Sequence, residues 1–188
     1  MIYLASQSPR RKQLMELTGL AFCVRPTNTD ESGAEGMTPK NTVEYLSKIK
    51  AEALFDDISE NDIIIGSDTV VSIDGKILGK PKDEADAVCM LKKLSGRTHS
   101  VFTGVTLLKK TADGMKCETF SCKTDVEFFE LSDSEIDEYV KTGEPLDKAG
   151  AYGIQERGAL FVRGINGDFF NVVGLPVSAL VRKLKSVC

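Results

Sequence analysis

Ile63-Ile64-Ile65-Gly66-Ser67-Asp68-Thr69-Val70-Val71 is the stretch that decides the fold. Apolar side chains fall on both alternating faces, which predicts a central strand covered on two sides. The flanking sequence supplies the covers. Upstream, Val43, Leu46, Ile49 and Ala53 recur at helical spacing. Downstream, Asp74-Gly75 is a hairpin turn signal, and Ala85, Val88, Met90 and Leu91 lie on a helix ended by Gly96. At the start of the chain, residues 2–5 read as a short buried strand. Ser8-Pro9 then opens a helix with Leu14 and Leu17 as its apolar stripe and Gly19 as its stop. Residues 21–25 read as an edge strand, and 26–42 as a long polar loop of the kind that serves function.

Two strands are expected over about 99–108 and 117–129, joined near Asp113-Gly114. Ser132-x-x-Glu135 is a capping box for a helix reaching Thr142. Strands near 159–164 and 168–173 precede a helix after Pro176. Strands and helices interleave throughout, so the expected class is α/β with a mixed sheet, in one domain over residues 1–188.

Composition excludes several classes. The 188 residues are 41% hydrophobic and 28% charged, an ordinary globular balance. No apolar run approaches the roughly 20 residues of a membrane helix, and the first residues do not read as a signal peptide. The net charge of −4 argues against nucleic acid as the main partner. Cys23, Cys89, Cys117, Cys122 and Cys188 have no paired or metal-binding spacing and read as reduced thiols of a cytosolic protein. Cys89 is expected in the core.

Four stretches carry chemistry. In Ser6-Gln7-Ser8-Pro9-Arg10-Arg11-Lys12, three cations stand in the first turn of a helix, where the helix dipole favours acids. Either an anion such as phosphate docks there, or the patch is simply solvated. Asp68 inside an apolar strand must be paired, metal-bound or neutral. It reads as a magnesium ligand, a general base, or a structural acceptor, and Gly66 on its face would leave room for a ligand. Lys80 in Gly79-Lys80-Pro81 and Lys50 suit phosphate capture, or else are surface lysines. In Asp147-Lys148-Ala149-Gly150-Ala151-Tyr152-Gly153-Ile154-Gln155, the glycines permit close approach of a ligand and Gln155 suits the imide edge of a pyrimidine, or else the stretch is a structural loop. No Walker A, GxGxxG, HExxH or GxSxG motif occurs. The single histidine, His99, reads as structural. Cations, a buried carboxylate and no protein nucleophile together fit metal-assisted attack of water on phosphorus.

Taken in order, 4–11, Gly-Ser-Asp-Thr at 66–69, Gly-Lys-Pro at 79–81, Leu-Ser-Gly-Arg-Thr-His at 94–99, 143–155 and Val-Gly-Leu-Pro at 173–176 resemble the Maf family of nucleoside triphosphate pyrophosphatases. The resemblance covers essentially the whole chain. It implies an elongated α/β fold with a central cleft, two lobes around it, and kinship with the inosine triphosphatase fold. It implies hydrolysis of a nucleoside triphosphate to monophosphate and pyrophosphate with magnesium, or manganese in its place, in a cytoplasmic homodimer. By matching motif, Asp68 is the proton acceptor and a metal ligand. Ser6, Arg10, Arg11, Lys50 and Lys80 form the polar pocket. Arg10, Thr69 and Gln155 mark the dTTP/UTP branch. Either Asp30 or Glu31 helps hold the metal, with Glu31 preferred. Glu156 stands where relatives often have glycine. The rivals are the sister branch acting on 7-methyl-GTP and a nucleotide-sensing regulator of cell division.

Overall fold

The computed structural model describes residues 1–187. Seven strands form one mixed sheet in the order β2-β1-β3-β5-β6-β7, with β4 beside β3. The strands are β1 Ile2–Ala5, β2 Phe22–Val24, β3 Ile63–Ile73, β4 Lys76–Leu78, β5 Thr98–Thr111, β6 Gly114–Phe128 and β7 Val162–Asn166. The helices are α1 Pro9–Glu16, α2 Pro39–Glu52, α3 Glu84–Leu94, α4 Asp133–Val140, α5 Phe169–Val173 and α6 Val177–Val187. β1 runs parallel to β2 and β3, whereas β4 to β7 join through antiparallel pairs. At roughly 3.3 Å per residue, β5 and β6 each extend for more than 40 Å. The α/β class and mixed sheet are therefore as the sequence predicts. Among the described residues, no helix is long and apolar enough to cross a membrane.

β3 is the central strand, and it is covered on both faces. Ile64 packs with Ala51 and Leu54 from α2 and its end. Ile63 and Ile65 join Leu14 and Met15 of α1, Val173 of α5 and Leu180 of α6. Val71 and Ile73, farther along that second face, belong to another cluster with Leu91 and Leu94 of α3 and Ile136 of α4. Between these two apolar clusters lies a polar band. Thr69 and Thr103 share a hydrogen bond of 2.9 Å, Thr103 donates to the Asn171 carbonyl at 2.8 Å, and Ser67 donates to the Gly174 carbonyl at 3.2 Å.

Local signals explain the helix starts. Ser8, Thr38, Asp83, Ser132 and Asp168 each accept a backbone N–H at a helix N-terminus. The Ser132–Glu135 capping box is present in both directions. Asp74 and Gly75 have φ of 52° and 73°, as a two-residue hairpin needs.

Several expectations need correction. α2 begins at Pro39, because Thr38 caps it and Pro39 occupies its first position, so the polar loop is shorter than residues 26–42. Its buried face ends in Ala51, and Ala53 is exposed. In α1 the stripe is Leu14 and Met15, and Leu17 is exposed. In α3 the buried set is Ala87, Met90, Leu91 and Leu94, which leaves Ala85 and Cys89 outside. Cys89 is two residues from Leu91 and so lies on the far side of the helix. Residues 157–161 form a 3-10 turn and 169–173 a helix where strands were expected. Phe-Phe-Asn-Val-Val is too short for apolar periodicity to separate helix from strand, and the Asp168 cap decides it. Cys23, Cys117 and Cys122 are also free thiols. Cys117 and Cys122 lie on the same strand, so they do not face each other across a turn. Cys188 lies outside the described residues.

Candidate active site

The cleft arises from a gap in strand pairing. β1 follows one edge of β3 as far as the Ala5–Gly66 pair, and β4 takes up that edge again at Val71. Among the described residues, no strand lies beside residues 67–70 there. The chain leaves β1 at this point and turns into α1, whose N-terminus borders the gap. A cleft of about 750 Å³ opens at this site, well within the size of small-ligand sites. It lies at the carboxyl end of β1, where ligands commonly bind in α/β sheets.

Of the residues singled out from the sequence as site residues, all but Asp30 line this one cleft: Ser6, Arg10 and Arg11 from the entry to α1, Glu31 and Lys50, Asp68 and Thr69 of β3, then Lys80 and Gln155. Asp68 is buried, and its Oδ1 accepts from Lys50 Nζ at 2.6 Å. Lys50 Nζ also pairs with Glu31 Oε1 at 2.8 Å. Two carboxylates from different parts of the chain thus converge on one ammonium. Asp30 instead closes a turn by accepting the Ser32 N–H at 3.0 Å, which separates its role from that of Glu31.

The crowded cations at α1 find partners within the protein. Arg11 is buried. Its Nε donates to the Gly174 carbonyl at 2.9 Å, Nη2 to Thr69 Oγ1 at 3.1 Å and Nη1 to Ser6 Oγ at 3.4 Å. Burial lowers its pKa while the charge of Asp68 opposes that shift. Arg11 therefore joins α1, β3 and the end of α5 across the polar band. Arg10 Nη1 reaches Asp147 Oδ2 at 3.3 Å. Burial alone would raise the Asp147 carboxyl, but Lys148 and Arg10 hold it below the ordinary carboxylate range. Lys80 lines the cleft, is exposed, and forms no ion pair among the described residues.

The glycines act differently from the sequence reading. A Cβ at Gly66 would stand 2.1 Å from the Ser47 carbonyl oxygen, so this glycine makes room for α2 and not for a ligand. Gly104, beside Asp68 on β5, does the same against Val43. Gly150, at φ 70°, accommodates Val71, and Gly153 accommodates the stem of Lys148. His99 stands apart from the cleft as expected. It is buried, its Nε2 shares a 2.8 Å hydrogen bond with the Tyr152 hydroxyl, and its ring packs edge-on against Phe128 and Tyr152.

Sequence reasoning missed Lys148. It is buried at the cleft wall and ion-paired with Asp147 and with Glu156. Its only sequence signal was its place among the glycines of 147–155.

Sheet and cleft together define an α/β protein with one polar, cation-rich cavity at a break in strand pairing. The chain belongs to the Maf family: the family described as Maf-like protein matches residues 1–187. A dTTP/UTP pyrophosphatase of Bacillus pumilus (strain SAFR-032) is 47% identical to it over 185 residues, covering 98% of this chain and 95% of that one. A dTTP/UTP pyrophosphatase of Bacillus cytotoxicus is 50% identical over 182 residues, 97% of this chain and 93% of that one. Among solved structures, a HAM1 protein from Coxiella burnetii superposes with a TM-score of 0.52 over 98% of each chain at 16% identity, a likeness of fold.

Proposed function

We propose that this chain is a nucleoside triphosphate pyrophosphatase that hydrolyses dTTP and UTP to the monophosphate and pyrophosphate. It acts as one unit whose two lobes flank the cleft. The observation that carries this reading is the convergence of Asp68 and Glu31 on Lys50 in a cleft that Arg10, Arg11 and Lys80 also line. The full-length relatives at 47% and 50% identity, named dTTP/UTP pyrophosphatases, support it.

The roles follow from the chemistry of each group. Asp68 orients a water and accepts its proton as the water attacks the α-phosphorus, and pyrophosphate leaves. Lys50 balances the Asp68 charge before attack. Arg10, Arg11 and Lys80 offset the negative charge that shifts toward the leaving group, with Ser6 holding Arg11 in place. Lys80 is exposed and forms no ion pair among the described residues, so no protein counter-ion has to be displaced from it. Gln155, with Thr69 and Arg10, sets the preference for pyrimidines, because one amide matches the donor and acceptor of an imide edge.

The donor set fits a divalent cation. Two carboxylates already meet on one positive charge, and magnesium typically takes one or two carboxylates beside phosphate oxygens and water. No cluster of three or more acidic, histidine or cysteine ligands occurs among the described residues, so such an ion depends on the substrate for the rest of its shell. Asp68 and Glu31 would hold it, magnesium first and manganese second, and it would supply charge neutralisation at the phosphates. A cytoplasmic location and a homodimer go with the family resemblance. The net charge of −4 supports free nucleotides over nucleic acid as ligands.

Product analysis tests this reading. Purified protein with Mg²⁺ is incubated separately with dTTP, UTP, CTP, GTP, 7-methyl-GTP and 5-methyl-UTP. Monophosphate and pyrophosphate from dTTP and UTP are expected. Turnover mainly of 7-methyl-GTP would overturn the pyrimidine reading, and binding without turnover would overturn the enzyme.

A further inference from the structure

The segment 153–158 carries Gln155 over the cleft, and it is pinned on both sides of its tip. Gly153 N–H donates to the Tyr139 hydroxyl at 3.2 Å. Glu144 takes the far side, accepting Arg157 N–H at 3.1 Å and Gly158 N–H at 3.3 Å. Beneath the tip runs Lys148. A Cβ on Gly153 would lie 2.6 Å from Lys148 Cε, so the lysine stem passes directly under the loop. Its ammonium donates to the Glu144 carbonyl at 2.8 Å and to Asp147 Oδ1 at 2.8 Å, and it pairs with Glu156 Oε2 at 3.2 Å. Ile154 and Gln155 are left between the pins, and both line the cleft.

A lysine side chain 7% exposed is costly to bury without a specific arrangement around it. Here that arrangement ties the residue after Gln155 to the turn that begins at Glu144. Asp147 adds a second connection, since its other oxygen holds Arg10 of α1. One carboxylate thus sets the distance between the cation at α1 and the post beneath the Gln155 loop.

We propose that Lys148, with Glu156 as its counter-ion, is a positioning residue that sets nucleobase selectivity by holding the Gln155 loop at a fixed height over the cleft. This rests on the pyrimidine-hydrolysing reading above. Lys148 touches no reacting atom in this scheme. Loosening it weakens contacts to the base and leaves the phosphate chemistry at Asp68 in place.

The test compares Glu156→Gln and Lys148→Met with the unmodified protein. Glu156 is half exposed, so Glu156→Gln removes the charge at little risk to folding. For Glu156→Gln, KM for dTTP rises about threefold, as suits a partly exposed ion pair. For Lys148→Met, which loses buried charged hydrogen bonds, the rise is about tenfold or more. In both, the ratio of kcat/KM for dTTP to that for CTP falls by a similar factor while kcat changes less than about twofold. Amide hydrogen exchange without nucleotide is expected to speed up in peptides covering 153–158 and to stay unchanged in β3 and β5. If Lys148→Met fails to fold, Glu156→Gln decides. An unchanged selectivity ratio and unchanged loop exchange in an active protein would overturn the proposal alone, as would a fall in kcat at constant KM. An unmodified protein inert toward both dTTP and UTP would overturn the activity reading and the selectivity role with it.

Discussion

Replacing Gly66 by alanine distinguishes two physical roles for this glycine. If Gly66 leaves space for a ligand, the added methyl group obstructs the cleft and the fold is unaffected. If it leaves space for α2, the methyl group meets backbone. The structure supports the second role: the new Cβ would lie 2.1 Å from the Ser47 carbonyl oxygen, 2.9 Å from the Ala51 amide nitrogen and 3.0 Å from the Ala51 side chain. Carbon and oxygen normally approach no closer than about 3.2 Å, so α2 must withdraw by about 1 Å. Val43, Leu46 and Ala51 are buried on that helix face. A gap of about 1 Å forfeits roughly a quarter to a half of each dispersion contact, and overpacked cores typically lose about 1–3 kcal/mol. Several buried residues lift together here, so the expected loss is at the top of that range, about 3 kcal/mol. With a urea m-value of about 2 kcal/mol/M, the denaturation midpoint falls by roughly 1.5 M. Lys50 rides on the same helix, so its 2.6 Å contact with Asp68 lengthens and kcat falls as well. Gly164→Ala is the control: its Cβ meets nothing within 4 Å, and stability should change by no more than about 0.5 kcal/mol, a midpoint shift of about 0.25 M. A Gly66→Ala protein with an unchanged urea midpoint and a raised KM for dTTP would refute the reasoning and restore the ligand-space role.

Asp68→Asn is expected to retain nucleotide binding, measured by calorimetry, and to lose about 10²- to 10⁴-fold in turnover; turnover near that of the unmodified protein would remove Asp68 as proton acceptor. His99 predicts an acid limit to stability, because burial lowers its pKa from 6.5 to about 4 and its buried Nδ1 has no hydrogen-bond partner among the described residues. Above pH 6.5 both folded and unfolded chains are neutral at this residue and its stability contribution is complete. Between pH 6.5 and 4 only the unfolded chain takes up the proton, so roughly 3 kcal/mol is lost across that window and no more below it. Urea midpoints at successive pH values for the unmodified protein and His99→Phe measure this by difference, and parallel curves would show that His99 carries no such linkage.

Much of the fold was legible because its signals are local. A double-faced apolar run identifies a covered strand whatever lies above it, hence the reading of β3. Caps and turns depend on three or four neighbouring residues, hence Ser8-Pro9, Asp74-Gly75 and the Ser132–Glu135 box. The errors have equally local causes. Residues 169–173 form a single helical turn, too short to show a period. Cys89 is expected in the core from the apolar residues around it, but the angular position of Leu91 and Leu94 turns it outward. The Thr38-Pro39 start of α2 is itself a local signal that the loop reading passed over.

Residue chemistry by itself marked Arg10, Arg11, Lys50, Asp68, Lys80 and Gln155 as candidates and left a structural alternative open for each, and the family resemblance gathered them with Ser6, Glu31 and Thr69 into one pocket. Only the tertiary structure decided their partners. Arg10 meets Asp147 across 137 residues and Arg11 meets Gly174 across 163, while Lys50 stands 18 residues from Asp68 with Glu31 on its other side. Sequence periodicity reports a residue's direction from its own helix or strand but not what another element brings opposite it. That holds for Gly66, whose missing side chain faces α2, and for Lys148, whose buried ammonium is defined by the three oxygens that surround it.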